Sequence, residues 1–138
     1  MRIESDKSEI NKPASEVFSF LSDFNNFQKL MPEQVTNWKS TADECSFTIS
    51  GMATIGMKII EKIPNTLVKI SSAPALVGTS SKMPLDFTLG IYLTETAPVQ
   101  CTGQFIFESD INPMMKMMLE KPLTKFFNFL AWKMKEIS

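Results

Sequence analysis

The stretch that decides the fold is NPMMKMMLEKPLTKFFNFLAWKMKEI, residues 112–137. Asn112 and Pro113 form a typical helix start, because a capping residue precedes proline at the first helical position. Apolar residues then recur at helical spacing. They form two sets, the first Met115, Met118, Leu119, Pro122, Phe126, Phe129 and Leu130, the second Met114, Met117, Leu123, Phe127, Ala131 and Met134. The stretch predicts a helix of about 35–40 Å that crosses the domain on a broad apolar face.

Charged residues and a proline inside this stretch limit what kind of helix it can form. Lysines and glutamates recur along it, so it has no run of about 20 uncharged residues and is not predicted to span a membrane. Pro122 removes one backbone hydrogen bond and predicts a kink. Alternatively, the helix is split and its methionine-rich first half moves as a lid, together with the poorly patterned segment Ala73–Lys82.

The composition excludes several classes of function. A chain of 138 residues with a net charge of −1 predicts one domain, residues 1–138, without the basic surface of a nucleic-acid-binding protein. Histidine is absent, which excludes histidine-dependent triads and the commonest metal ligand; we expect no catalytic residues, metal or cofactor. The polar N-terminus lacks the apolar region of a signal peptide, so we expect a cytoplasmic protein, with Cys45 and Cys101 as reduced, buried thiols.

The first third of the chain predicts a short strand and a helix pair. Residues Arg2–Ile10 are a candidate first strand, and Pro13 begins a helix over Ala14–Asp23 with its apolar residues on one face. A second short turn follows at Phe27–Met31 and ends at Pro32.

From Val35 onward the apolar period changes from 3.6 to 2, which predicts β-strands. The clearest alternation is Met83, Leu85, Phe87, Leu89, Ile91 and Leu93, all at odd positions. Strict alternation places one face of each strand in the core and the other in water. Short turns between the runs predict about six antiparallel strands in a meander. Trp38 and Trp132 are expected to pack against this core.

The order of elements and the N-terminal motif resemble a known superfamily. The segment 10–23, INKPASEVFSFLSD, has an apolar residue, a Pro-Ala pair, a Val-aromatic pair and a Leu-x-Asp. Residues 25–32, NNFQKLMP, continue it with an aromatic residue and a proline. Over essentially the whole chain the pattern resembles the START and birch-pollen-allergen superfamily, also called SRPBCC-type or polyketide cyclase/dehydrase and lipid-transport proteins.

The resemblance implies an α+β helix-grip fold, in which a curved antiparallel sheet of about seven strands wraps a long C-terminal helix. It also implies a cavity between sheet and helix that holds an apolar molecule. The residues predicted to line this cavity are Ile55, Met57, Met83, Phe87, Leu89, Ile91, Phe105, Phe107, Met115, Met118, Phe126 and Leu130. If these side chains meet, the core is solid instead.

Three functions remain open at this point. The first is a non-catalytic binder or carrier of a hydrophobic small molecule, lipid-like or polyketide-like. The second is an enzyme of the cyclase or dehydratase type, which needs a polar pair pointing inward; Glu61, Asp86, Tyr92 and Glu95 are its titratable candidates. The third is a protein-interaction module with Met114, Met117 and Phe127 exposed. The sequence leaves both a monomer and a dimer open.

Overall fold

The computed structural model describes residues 1–49, 53–73, 86–110 and 112–136. The strands in these ranges are β1 (Arg2–Glu4), β2 (Ser8–Ile10), β3 (Val35–Ser40), β4 (Glu44–Ile49), β5 (Ala53–Ile63), β6 (Leu67–Ala73), β7 (Phe87–Ala97) and β8 (Gln100–Ser109). The α-helices are α1 (Ala14–Leu21), α2 (Phe24–Phe27) and α3 (Pro113–Met134), and a 3₁₀ helix covers Gln28–Leu30. The predicted order of strand, helix pair, six strands and long helix is confirmed.

The strands form one antiparallel sheet with the order β1-β8-β7-β6-β5-β4-β3, and β2 also pairs with β8. From β3 to β8 each strand pairs with the next along the chain, which is the predicted meander. The sheet is curved and α3 lies against it, as expected for a helix-grip fold. Register shifts in β3, β5 and β7 contribute to this curvature, because bulges bend and twist a strand.

The predicted first strand is divided into β1 and β2 by an excursion at Ser5. The Ser5 amide donates to the Phe105 carbonyl at 2.9 Å, and the Ser5 hydroxyl accepts from the Phe105 amide at 2.9 Å. The next amide, Asp6, donates to Oδ1 of Asn128 on α3 at 2.8 Å. The Ser8 hydroxyl donates to the Ala131 carbonyl, also on α3. The Asp6 amide and the Ser8 hydroxyl therefore link this edge of the sheet to α3.

The opposite edge of the sheet is β3, whose strand partner in the described chain is β4. Its register shifts between Thr36 and Lys39. Asn37 has a φ of 55°, a left-handed conformation that asparagine adopts more readily than most residues. Trp38 follows, half-buried, and stacks on Phe47 with ring centroids 5.2 Å apart.

Helix α2 begins at Phe24, earlier in the chain than the second turn predicted at Phe27–Met31. The Asp23 side chain accepts a hydrogen bond from the Asn25 amide at 2.9 Å, so it caps α2 and separates it from α1. Asn25 and Asn26, read from the sequence as an interruption, therefore lie inside a helical turn. Phe24 and Phe27 are both buried and meet edge to face at 5.0 Å.

Helix α3 begins at the predicted cap, where Oδ1 of Asn112 accepts from the Met115 amide at 2.8 Å. It continues through Pro122 to Met134 as one helix, so the alternative of two separate helices is wrong. Its buried residues are Leu119, Leu123, Phe126, Phe127, Leu130, Ala131 and Met134. This face combines the two predicted sets and excludes their methionines near the N-terminus, because the first turns of α3 extend beyond the core.

Candidate functional site

An apolar cavity lies between the sheet and α3. The described residues that line it are Phe27, Met31, Phe47, Ile49, Ile55, Met57, Phe87, Leu89, Phe107, Leu123, Phe126, Phe127 and Leu130. They come from α2 and the residue after the 3₁₀ helix, from β4, β5, β7 and β8, and from α3. Every one of these side chains is apolar.

Four aromatic rings connect the sheet to the helix along one side of the cavity. Phe87 stacks on Phe107 across β7 and β8, with centroids 5.3 Å apart. Phe107 then contacts Phe127 of α3 at 5.3 Å, and Phe127 meets Phe126 edge to face at 5.4 Å. These separations lie in the favourable range for aromatic pairs, so this side of the cavity is well packed.

The cavity has a volume of about 30 Å³, which is room for roughly two water-sized spheres. Ligand pockets for drug-sized molecules are on the order of 300–1,000 Å³. The core is therefore nearly solid in this conformation. Met31 and Ile55 are only half-buried, so the lining reaches the surface at these two residues.

The structure brings together seven of the residues predicted to line a cavity, namely Ile55, Met57, Phe87, Leu89, Phe107, Phe126 and Leu130. Ile91 and Phe105 are fully buried and paired with each other across β7 and β8. They lie on the core side, beyond the cavity lining, two residues further along each strand than the lining pair Leu89 and Phe107. Met83 lies outside the described residues.

Two predicted lining residues on α3 do not face the cavity. Met118 is 66% exposed, and Met115 is half-buried outside the lining. Leu123 and Phe127 of the second apolar set line the cavity in their place. Phe127 is buried, so its expected exposure in an interaction module is wrong. The spacing of apolar residues predicted the helix but not which of its sides faces the sheet, because residues 113–119 are apolar on nearly all sides.

Sequence reasoning also missed Phe27, Met31, Phe47 and Ile49. The signal for Phe47 and Ile49 was present, because they continue the alternation of β4 with Cys45. Phe27 and Met31 carried no comparable signal, since their position depends on how the helix pair folds back against the sheet.

The titratable groups lie away from the cavity. All 15 aspartates and glutamates are among the described residues, and none lines it. The catalytic candidates Glu61, Asp86, Tyr92 and Glu95 are exposed. No cluster of metal-ligating side chains occurs among the residues that the structure describes. The described lining thus offers no acid–base pair.

Both cysteines are buried and reduced. Burial raises the pKa of the Cys45 thiol to about 12, against a smaller lowering effect of a hydrogen bond with the Met57 backbone. Burial also raises the pKa of Cys101, and the negative charge of Glu95 adds to this. Because the thiolate is the reactive form, both side chains serve as packing groups. Across the described ranges, no helix is long and apolar enough to cross a membrane.

The chain has the START-type helix-grip fold. This fold is defined by a curved antiparallel sheet packed against a long C-terminal helix, with a helix pair after the first strands. This confirms the fold that the sequence resemblance implied. No protein-family model matches the sequence, and no curated protein sequence matches it.

Solved structures match almost the whole chain. A START superfamily protein from Mycobacterium smegmatis superposes with a TM-score of 0.67 at 10% identity, over 99% of both chains. Norcoclaurine synthase from Thalictrum flavum, a point mutant in complex with a transition state analogue, gives 0.69 at 13% identity, over 99% of this chain and 94% of that one. A conserved protein from Geobacillus kaustophilus gives 0.71 at 11% identity, over 99% and 93%. At these identities the likeness establishes the fold.

Proposed function

We propose that the protein binds an apolar small molecule, lipid-like or polyketide-like, between the sheet and α3. The observation that carries this proposal is the uniformly apolar lining of the cavity. Burying apolar ligand surface there contributes about 25 cal/mol per Å². A polar ligand would lose its hydrogen bonds to water without replacement, which costs roughly 2–7 kcal/mol for each amide or hydroxyl group left unpaired.

Binding requires the cavity to widen, since about 30 Å³ admits only a few atoms. Met31 and Met57 are the lining residues best suited to this, because methionine is unbranched and changes rotamer easily. Met31 and the half-buried Ile55 lie where the lining reaches the surface, so we expect the ligand to enter between them. The norcoclaurine synthase structure contains a transition state analogue, which supports the view that this fold accommodates small molecules.

The described lining favours binding over acid–base catalysis. A cyclase or dehydratase needs at least one group that exchanges protons within hydrogen-bond reach of the substrate. Every carboxylate and Tyr92 lies outside the cavity.

The first experiment is native mass spectrometry of the purified protein, with organic extraction of any adduct. A stoichiometric apolar adduct supports the proposal and gives the chemical class of the ligand. The second is a fluorescence titration with N-phenylnaphthylamine as the apolar probe, and it applies whether or not an adduct is present.

Two variants on the same strand test where the probe binds. Ile55→Phe adds volume to the lining and should weaken probe binding about tenfold or more, roughly the effect of 1.4 kcal/mol. Ile60→Phe makes the same change at a residue that is 48% exposed and outside the lining, and should bind as wild type. Thermal unfolding confirms that both variants fold. Unchanged binding by Ile55→Phe, or no binding by the wild type, overturns the proposal.

A further inference from the structure

The outer side of α3 carries a line of residues in which exposed methionines lie near one end and an exposed tryptophan lies at the other. Residues three or four apart lie on one side of a helix, and the positions on this line are 114, 118, 121, 125, 129 and 132. Met114 and Met118 are 73% and 66% exposed, the adjacent Met117 is 84% exposed, and Trp132 is 52% exposed. Trp132 was expected to pack against the core. It lies instead on this outer side, with its ring centroid 6.1 Å from that of the half-buried Phe129.

Two lysines interrupt this apolar line. Lys121 and Lys125 are exposed and make no ion pair with any described carboxylate, whereas Lys116 pairs with Glu120 at 3.9 Å. The fourth lysine of α3, Lys133, pairs with Glu136 just beyond the helix at 3.1 Å. With four lysines and one glutamate, α3 has a charge of 4 − 1 = +3, although the whole chain has −1.

We propose that this outer side of α3, Met114 to Trp132, docks on an anionic membrane surface. A helix that lies in a membrane interface places apolar side chains at the boundary of headgroups and acyl chains and its lysines at the phosphates. Tryptophan favours the same depth. The line is about 27 Å long, so the helix would lie parallel to the surface without crossing it.

The position of the lysines selects a membrane over a protein groove. Lys121 and Lys125 stand in the middle of the apolar line, between Met118 and Phe129. An apolar groove on a protein would remove both charges from water without a partner, which is costly. At a lipid interface the long lysine side chains reach back to the hydrated phosphates while their stems stay apolar.

This inference goes beyond the proposed ligand cavity, since docking uses the side of α3 opposite to Leu123 and Leu130. It is tested on the full chain with no small molecule added. Failure of vesicle binding therefore leaves the cavity proposal intact. Failure of probe binding in the cavity likewise leaves the membrane proposal intact.

The experiment is cosedimentation with vesicles of phosphatidylcholine alone and of an equimolar mixture with phosphatidylglycerol. We expect wild type to bind the mixed vesicles and to be released by salt. Lys121→Gln with Lys125→Gln should weaken binding roughly 30-fold, the effect of two lysines near such a surface. Met114→Ser, Met117→Ser and Met118→Ser combined should weaken it about tenfold or more.

A matched control tests whether any exposed apolar pair has the same effect. Ile60 and Ile63 on β5 are 48% and 43% exposed, and Ile60→Ser with Ile63→Ser should bind as wild type. In a Trp38→Phe protein, the emission of Trp132 should shift to shorter wavelength when mixed vesicles are added. Absence of binding to either vesicle, or methionine and lysine variants that bind as wild type, overturns the proposal. If wild type self-associates without lipid and the methionine variant does not, this side of α3 binds a second copy of the chain instead.

Discussion

The ring of Tyr92 lies over the backbone of Gly90 on the outer face of β7. A Cβ added to Gly90 would be 2.5 Å from Cε2 of Tyr92. Gly90 is consequently buried, although its neighbours across the sheet are Lys69 and Ile106 on the outer face. An aromatic side chain thus covers a strand position that has no side chain of its own.

We expect Gly90→Ala to have opposite effects in two backgrounds. In the wild type it should destabilise the fold, because the new methyl group displaces the Tyr92 ring. In a Tyr92→Ala protein it should stabilise by about 0.5–1 kcal/mol, since alanine loses less conformational entropy than glycine on folding. Urea unfolding of all four proteins gives the coupling energy. The same effect in both backgrounds would show that the ring contact contributes nothing.

Replacing Pro122 with alanine should stabilise the protein by roughly 1–3 kcal/mol. Pro122 lies inside a continuous helix and has no amide hydrogen to bond the Met118 carbonyl. Its side chain is exposed, so alanine removes no core contact. Urea unfolding measures the change, with Lys121→Ala as a neighbouring exposed control that should be nearly neutral. A destabilised Pro122→Ala would mean that the proline fits a bend which the sheet requires.

Ser8→Ala should cost about 1–2 kcal/mol, because it leaves the buried Ala131 carbonyl without the hydroxyl that donates to it. Ser15→Ala, at an exposed position in α1, is the control and should be neutral or slightly stabilising. Denaturant midpoints at constant slope measure both changes. A neutral Ser8→Ala would indicate that the edge of the sheet is fastened to α3 by Asn128 alone.

The buried thiol of Cys45 should make the free energy of unfolding depend on pH in the alkaline range. Burial raises the pKa of Cys45 from 9.0 to about 12, so the folded state holds a proton that the unfolded state releases. This contribution is fully present below pH 9 and is lost as the pH rises toward 12. Cys45→Ala should therefore lose less stability than wild type between those two pH values. Parallel stability curves for the two proteins would contradict the prediction.

Much of the sheet could be predicted because alternation is a local pattern. Phe87 and Leu89 at odd positions of β7 and Phe107 on β8 all face the core, as expected. The strand ends were clear as well, since Pro64 and Asn65 lie in the turn between β5 and β6, and Asn65 adopts a φ of 62°.

The side of α3 that packs on the sheet could not be predicted in the same way. Met114, Met117 and Met118 are as apolar as Leu119, and only the path of the helix relative to the sheet decides which of them is buried. The cavity volume could not be predicted either, since it depends on side-chain packing between elements far apart in the chain. Phe27 and Phe126 show this, because they lie 99 positions apart yet line the same space.

The irregular edge strand β3 has a consequence for behaviour at high concentration. An exposed, regular strand is a template on which further chains add and aggregate. The left-handed Asn37 and the shifted register between Thr36 and Lys39 interrupt the row of backbone groups that such addition needs. Lys39 adds a charge at the same place. The chain can therefore present a long sheet, apolar on one face, and still resist growth into fibrils from this edge.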